Sequence, residues 1–171
     1  MEQKTLSVFG DTLFPKWGKG SSLAKRDRAV NSVVDFFSQI QPELVYIMPT
    51  KGTASVVPLI CMAAKIPYIL VSPYPGFYNG ITKLDKMCVK RATEKAKSFI
   101  IIHDAEPDNA KHAQDILEES IEFMSNVSTA LVFMYSKKTD KKYKAFIDKI
   151  WDEKNEKKIL WELIYDGEFS R

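Results

Sequence analysis

The chain has 171 residues, 45% of them hydrophobic and 27% charged, with 7 glycines and 8 prolines, a profile that excludes a disordered or fibrous protein. At this length roughly two-thirds of the unfolded surface can be buried, so residues 1–171 are expected to form a single domain whose core needs no disulfide or metal. The 25 basic and 22 acidic side chains leave a formal charge of +3, which argues against nucleic acid as the partner.

Residues 5–10 (TLSVFG) form a short β-prone run that stops at Gly10-Asp11, and residues 13–22 carry a proline and several Gly and Ser positions, a strand feeding a loop. From Ala24, the residues Val30, Val33, Val34, Phe37 and Ile40 recur at three- and four-residue spacing, which predicts a helix ended by Pro42. Residues 44–48 (LVYIM) are too short for a helix and too continuous for a half-exposed strand, so they read as a buried parallel strand. A tight loop, Pro49-Thr-Lys-Gly-Thr-Ala-Ser, leads into a helix over 54–66, with Pro58 placed in its first turn, where a missing amide costs little. Residues 68–71 are a second buried strand, followed by the aromatic, turn-rich segment Ser72-Pro-Tyr-Pro-Gly-Phe-Tyr-Asn-Gly.

Residues 84–96 return to helical spacing, and 99–102 (FIII) read as a third buried strand closed by His103-Asp104. Residues 108–125 open on an acidic cap candidate and carry Ala113, Ile116, Leu117, Ile121 and Met124 as one apolar stripe, a helix. A strand over 129–135, a helix over 143–151 and a terminal strand over 159–165 complete the series. Strands alternating with helices predict an α/β fold: a Rossmann-like three-layer sandwich with a mostly parallel sheet and helices on both faces. Ligands of such sheets bind outside the carboxyl ends of the strands, which selects the loops after Gly10, Met48, Val71, Ile102 and Tyr135.

Cys61 and Cys88 form no CxxC pair, the opening residues MEQKTL lack the apolar core of a leader, and no run approaches the roughly 18 apolar residues of a membrane span. The expectation is a reduced, cytoplasmic protein with no membrane association and no metal site.

The loop over 49–55 leaves a strand and enters a helix, which aims free amides and the positive end of a helix dipole at the crevice. Phosphate suits such a place: Gly52 permits close approach, Thr50, Thr53 and Ser55 offer hydroxyls, and Lys51 a charge. The same residues also suit a plain turn with Thr53 or Ser55 as helix cap. The loop is neither a Walker loop nor a GxGxxG fingerprint, so no nicotinamide or other resident cofactor is expected.

The order of a strand, a helix with Lys25-Arg-Asp-Arg-Ala-Val-Asn, a strand ending Met48-Pro-Thr-Lys-Gly-Thr-Ala, a helix ending Ala63-Ala-Lys-Ile-Pro, and a strand running into Pro73-Tyr-Pro-Gly resembles the SLOG superfamily over roughly residues 5–136. These Rossmann-like domains include the LOG phosphoribohydrolases and the DNA-processing protein A family, and many bind nucleotides or their derivatives. Pro49 with Gly52-Thr53 looks like a shortened form of the LOG Pro-Gly-Gly-x-Gly-Thr loop, and Gly76-Phe-Tyr-Asn like its Gly-Tyr-Tyr-Asn. The resemblance implies a binding crevice for a nucleotide-derived small molecule. The position of the family's catalytic glutamate falls on Val56, so the resemblance does not carry the hydrolytic activity with it.

Glycosidic cleavage would then need another carboxylate, and Asp11, Asp85 and Asp104 are the candidates. Asp11 and Asp104 follow the first and fourth strands, at the expected crevice, where capping or solvation would equally account for them. His103 beside Asp104 is a residue type suited to acid–base catalysis but sits where structural histidines are common, and His112 is assigned no role. Tyr74, Phe77 and Tyr78 offer faces for stacking a base, or packing as a lid or homo-oligomer contact. Lys25, Arg26 and Arg28 open a helix, where cations oppose the dipole unless they meet phosphate. With Gly10 and Ser72 at strand ends, the ligand-binding set is Gly10, Asp11, Arg26, Pro49, Thr50, Lys51, Gly52, Thr53, Ser72, Tyr74 and Tyr78. The lysines at 137, 138, 141, 142, 154, 157 and 158 read as solvated surface. Three functions follow in order: a nucleotide or ADP-ribose sensor or sequestering protein, a nucleotide N-glycosidase, and an interaction module on the same scaffold.

Overall fold

A computed structural model describes residues 4–10, 23–48, 53–77, 83–136, 141–154, 156–165 and 169–170. Along the chain run β1 (Thr5–Gly10), α1 (Leu23–Ile40), β2 (Leu44–Ile47), α2 (Thr53–Ala64), β3 (Tyr68–Ser72), α3 (Lys83–Lys95), β4 (Ser98–Ile101), α4 (Ala110–Val127), β5 (Ala130–Ser136), α5 (Lys141–Lys154), β6 (Ile159–Tyr165) and β7 (Phe169–Ser170). The strands form one sheet in the order β4-β3-β2-β1-β5-β6-β7. The first six are mutually parallel and the short β7 runs antiparallel to β6. The fold is the expected Rossmann-like three-layer α/β sandwich.

Alternation along the strands divides the core into two layers. Leu6, Val8, Ile47 and Val132 face α1 and α2, where Val33, Phe37 and Ile60 meet them. Phe9, Val71, Leu131 and Phe133 face α4 and α5, where Met124 and Ile147 close the other side. Phe9 stacks on Phe133 with ring centroids 5.5 Å apart, and Phe36 meets Trp161 edge-on at 5.7 Å. Strands buried on both faces need no polar alternation, which is why β2, β3 and β5 are continuous apolar runs.

The join between β1 and β5 is pinned by polar groups at its start. The Thr129 hydroxyl accepts from the Thr5 amide and donates to the Thr5 carbonyl, both at 3.1 Å, and the Thr129 amide donates to that carbonyl at 2.9 Å. One step on, the buried Ser7 hydroxyl donates to the Met124 carbonyl at 2.7 Å, and the Ser128 hydroxyl donates to the same carbonyl at 2.9 Å. Met124 lies in the last turn of α4, where helical donors run out, so two hydroxyls supply what the helix lacks.

Three local expectations are corrected. The strand at 98–101 is not buried: β4 is an outer edge, with Phe99 and Ile101 38% and 47% exposed. Pro58 is the sixth residue of α2 rather than part of its first turn, and its ring removes the amide that would reach the Ala54 carbonyl. The cap of α4 is Asn109, not Asp108; its extended backbone lets Oδ1 accept the His112 amide at 2.9 Å.

Replacing Ser7 by alanine should cost about 1 kcal/mol, because Ser128 still serves the Met124 carbonyl. Ser7→Ala combined with Ser128→Ala should cost more than the two single changes together, since the pair leaves that buried carbonyl short of donors. Urea unfolding of the four proteins checks this, and strict additivity would show that the two hydroxyls act independently.

Candidate functional site

The chain steps from β1 outward through β2 and β3 to β4, then returns along α4 to place β5 on the other side of β1. Strand order therefore reverses at β1, and α1 and α5, the helices that follow β1 and β5, pack on opposite faces of the sheet, the arrangement in which such sheets open a ligand crevice at the carboxyl ends of the strands. Gly10, half-buried and in register with Met134, ends β1 at its mouth. The first turns of α1 and α2 begin at this end of the sheet, and neither contains an acidic residue.

Of the ligand-binding set, Asp11, Pro49, Thr50, Lys51, Gly52 and Tyr78 lie outside the described residues, and Arg26 and Thr53 stand in the first turns of α1 and α2 with side chains outside the description. Ser72 is buried, and its hydroxyl donates to the Tyr74 carbonyl at 2.9 Å, so it shapes the turn that follows β3. In that turn Pro75 precedes Gly76 at φ 82°, and the Phe77 amide closes onto the Tyr74 carbonyl at 3.3 Å, a type II arrangement that requires glycine at its third position. The Tyr74 and Phe77 rings meet edge-to-face at 5.4 Å, and Phe77 packs against the core layer under α4 and α5. Phe77 is thus half-buried packing, while Tyr74 stands half-exposed beside it.

The two proposed acids are not brought together by the topology. Asp104 follows β4, three strands from β1, a separation of about 14 Å at ordinary strand spacing. Its carboxylate is exposed. His103 donates through Nδ1 to the Ala105 carbonyl at 2.8 Å, and its ring meets His112 edge-on at 5.2 Å. His112 in turn accepts the Asp108 amide on Nδ1 at 3.0 Å, so both imidazoles serve the turn that leads into α4. Cys61 is buried, which pushes its thiol up to about 12 and removes it as a nucleophile.

A polar cluster that sequence reasoning missed stands at the end of β5. Lys144 Nζ donates to the Tyr135 hydroxyl at 3.4 Å, lies 5.1 Å from the Tyr135 ring centroid, and pairs with Asp148 at 3.3 Å and Glu162 at 3.5 Å. Burial raises the Tyr135 phenol, and the charge of Glu162 raises it further, against the pull of Lys144. Burial alone would lower the Lys144 ammonium, but Asp148, Tyr135 and Glu162 together hold it above its ordinary value. Lys144 therefore stays charged, one turn into α5 and near the β5 side of the crevice. The signal for this cluster was Glu162, an acid within the apolar strand ILWELIY. Lys154, read from sequence as solvated, instead pairs with Glu122 at 2.8 Å and is largely covered.

No family model matches the chain, and no curated protein matches it. Among the described residues, no group of three or more His, Cys, Asp or Glu could hold a metal ion, and no helix is long and apolar enough to cross a membrane.

The cluster makes opposed predictions. Glu162→Gln should lower the Tyr135 pKa, whereas Lys144→Met should raise it. Tyrosine ring-carbon shifts followed against pH by NMR distinguish these directions, and movement of both variants the same way would show that the three groups are not coupled as described.

Proposed function

We propose that the protein binds a nucleotide or nucleotide-derived, ADP-ribose-like ligand at the carboxyl ends of β1, β2 and β5, as a sensor or sequestering protein. One observation carries the reading: the reversal of strand order at β1, which opens a crevice at that end of the sheet. The chemistry around it supports phosphate. The N-terminal turns of α1 and α2 contain no carboxylate of their own to compensate their amides and dipoles, and the sequence puts Lys25 and Arg26 in the first turn of α1 and Lys51 two residues before α2. Small residues, Gly10 and Gly52, leave space for a diphosphate to approach the backbone. The likeness of 49–53 and 76–79 to the SLOG loops points to the same class of ligand.

Binding without turnover is favoured over hydrolysis for a structural reason. Val56 stands where a LOG-type glutamate would, and Asp104 is three strands removed from Gly10, which leaves Asp11 without a second acid from β4.

A thermal-shift panel of mononucleotides, dinucleotides, ADP-ribose and single-stranded DNA tests the reading. At ligand about 100 times its Kd, stabilisation of about 2.7 kcal/mol corresponds to roughly 5 to 10 °C for a chain of this size. Gly52→Val should abolish the shift while leaving the unliganded melting temperature nearly unchanged. Chromatography of the same mixtures should find no free base. Silence across all nucleotides, or equal binding by Gly52→Val, would contradict the assignment, and release of base would convert it to the glycosidase reading.

A further inference from the structure

We propose that the protein forms a two-fold dimer through antiparallel pairing of its β4 edge with the β4 edge of a second copy. No described strand lies beyond β4, so one side of its backbone has no ladder partner in the sheet. Natural edges are usually guarded by charge, proline or a bulge. Residues 98–102 read Ser-Phe-Ile-Ile-Ile and contain none of these residues. Phe99 and Ile101, in register with Leu70 and Ser72, share the α1–α3 face of the sheet and are 38% and 47% exposed. They are two of the few large apolar side chains that the core does not absorb.

The flanks of β4 identify the partner. Before the strand, Lys95 and Lys97 join Lys65 and Arg91 around a cleft of about 470 Å³ between α2 and α3. After it, Asp104, Glu106 and Asp108 follow in alternate positions, all exposed. Among the described residues, neither Lys95, Lys97, Asp104 nor Glu106 has an ionic partner. A strand that is basic before and acidic after is complementary to itself when run antiparallel. A two-fold axis normal to the sheet sets the basic flank of each copy against the acidic flank of the other, and every contact is made twice. The same axis keeps equivalent faces together, so opposed residues share parity. Centring it on Ile100 puts Phe99 opposite the partner's Ile101, and runs the flank that carries Lys95 and Lys97 alongside the partner's flank of His103 to Glu106, so that the lysines lie beside, rather than directly opposite, the partner's Asp104 and Glu106. A foreign strand of uniform charge would satisfy one flank and oppose the other. The carboxyl end of β1, the central strand, lies three strands from the β4 edge and stays open in such a dimer.

Sedimentation equilibrium of the full chain across the micromolar range tests this, with circular dichroism to confirm folding. The wild type should be dimeric. Ile101→Lys, at an exposed position, should raise the dimer Kd by about tenfold or more, and Lys97→Glu should do so independently, which preserves the test should the first variant not fold. Combining Lys97→Glu with Asp104→Lys should restore association, since residues 97 and 104 then again carry opposite charges across the axis. A monomeric wild type, a dimer indifferent to both single changes, or a charge swap that fails to rescue would each overturn the proposal.

Discussion

The pairing of β1 with β5 is the constraint on which the rest of this fold depends. After β4 the chain stands at the outer edge of the sheet and must travel back past three strands to reach the free side of β1. The 18 residues of α4 span about 27 Å, enough to cover the roughly 19 Å between the β4 and β5 positions while descending to the start of the next strand. Both ends of that crossing are fastened by side chains: Asn109 caps the start, and Ser7 and Ser128 take up the Met124 carbonyl at the finish. Thr129 then holds the first residue of β1 through three hydrogen bonds, which sets the register in which Gly10 meets Met134.

That register decides where chemistry can occur. Because α2 and α5, the helices that follow the strands on either side of β1, pack on opposite faces of the sheet, the carboxyl end of β1 is the point where ligands of such sheets bind, and the amide-bearing starts of α1 and α2 open there. The Tyr135, Lys144 and Glu162 cluster sits across from them at the end of β5, its ammonium kept charged by two carboxylates and the Tyr135 hydroxyl against the effect of burial. The β4 edge is a separate surface, three strands away, built from exposed apolar side chains between flanks of opposite charge. Ligand binding and self-association therefore fall on different parts of one sheet.

Much of this was legible in the sequence, for identifiable reasons. Strands buried on both faces must be apolar throughout, so LVYI and ALVFMY announced themselves, and the stripe of Ile116, Ile121 and Met124 marked α4. The same rule misled at β4, because Phe99, Ile100 and Ile101 look alike in a central or an edge strand; only strand order, which is not written locally, tells them apart. Strand order also separated Asp104 from Gly10, although both follow strands at the same end of the sheet. Glu162 and Lys144 were hidden for opposite reasons, one inside an apolar run and the other inside a lysine-rich one. The two-residue β7 is too short to carry any periodicity. The loop over 49–52, to which the sequence reading gives most weight, lies outside the described residues.

The central claim is that the crevice at the reversal point, and no other surface, receives a phosphate-bearing nucleotide derivative. Titrating the isotopically labelled protein with ADP-ribose and following backbone amide shifts by NMR tests it most directly. The account predicts that the amides of Gly10, Thr53 and Tyr135 move together with one saturating affinity, while those of Ser98–Ile101 stay in place. Shifts confined to the β4 edge and its lysine-lined cleft, with Gly10 and Thr53 unmoved, would contradict it.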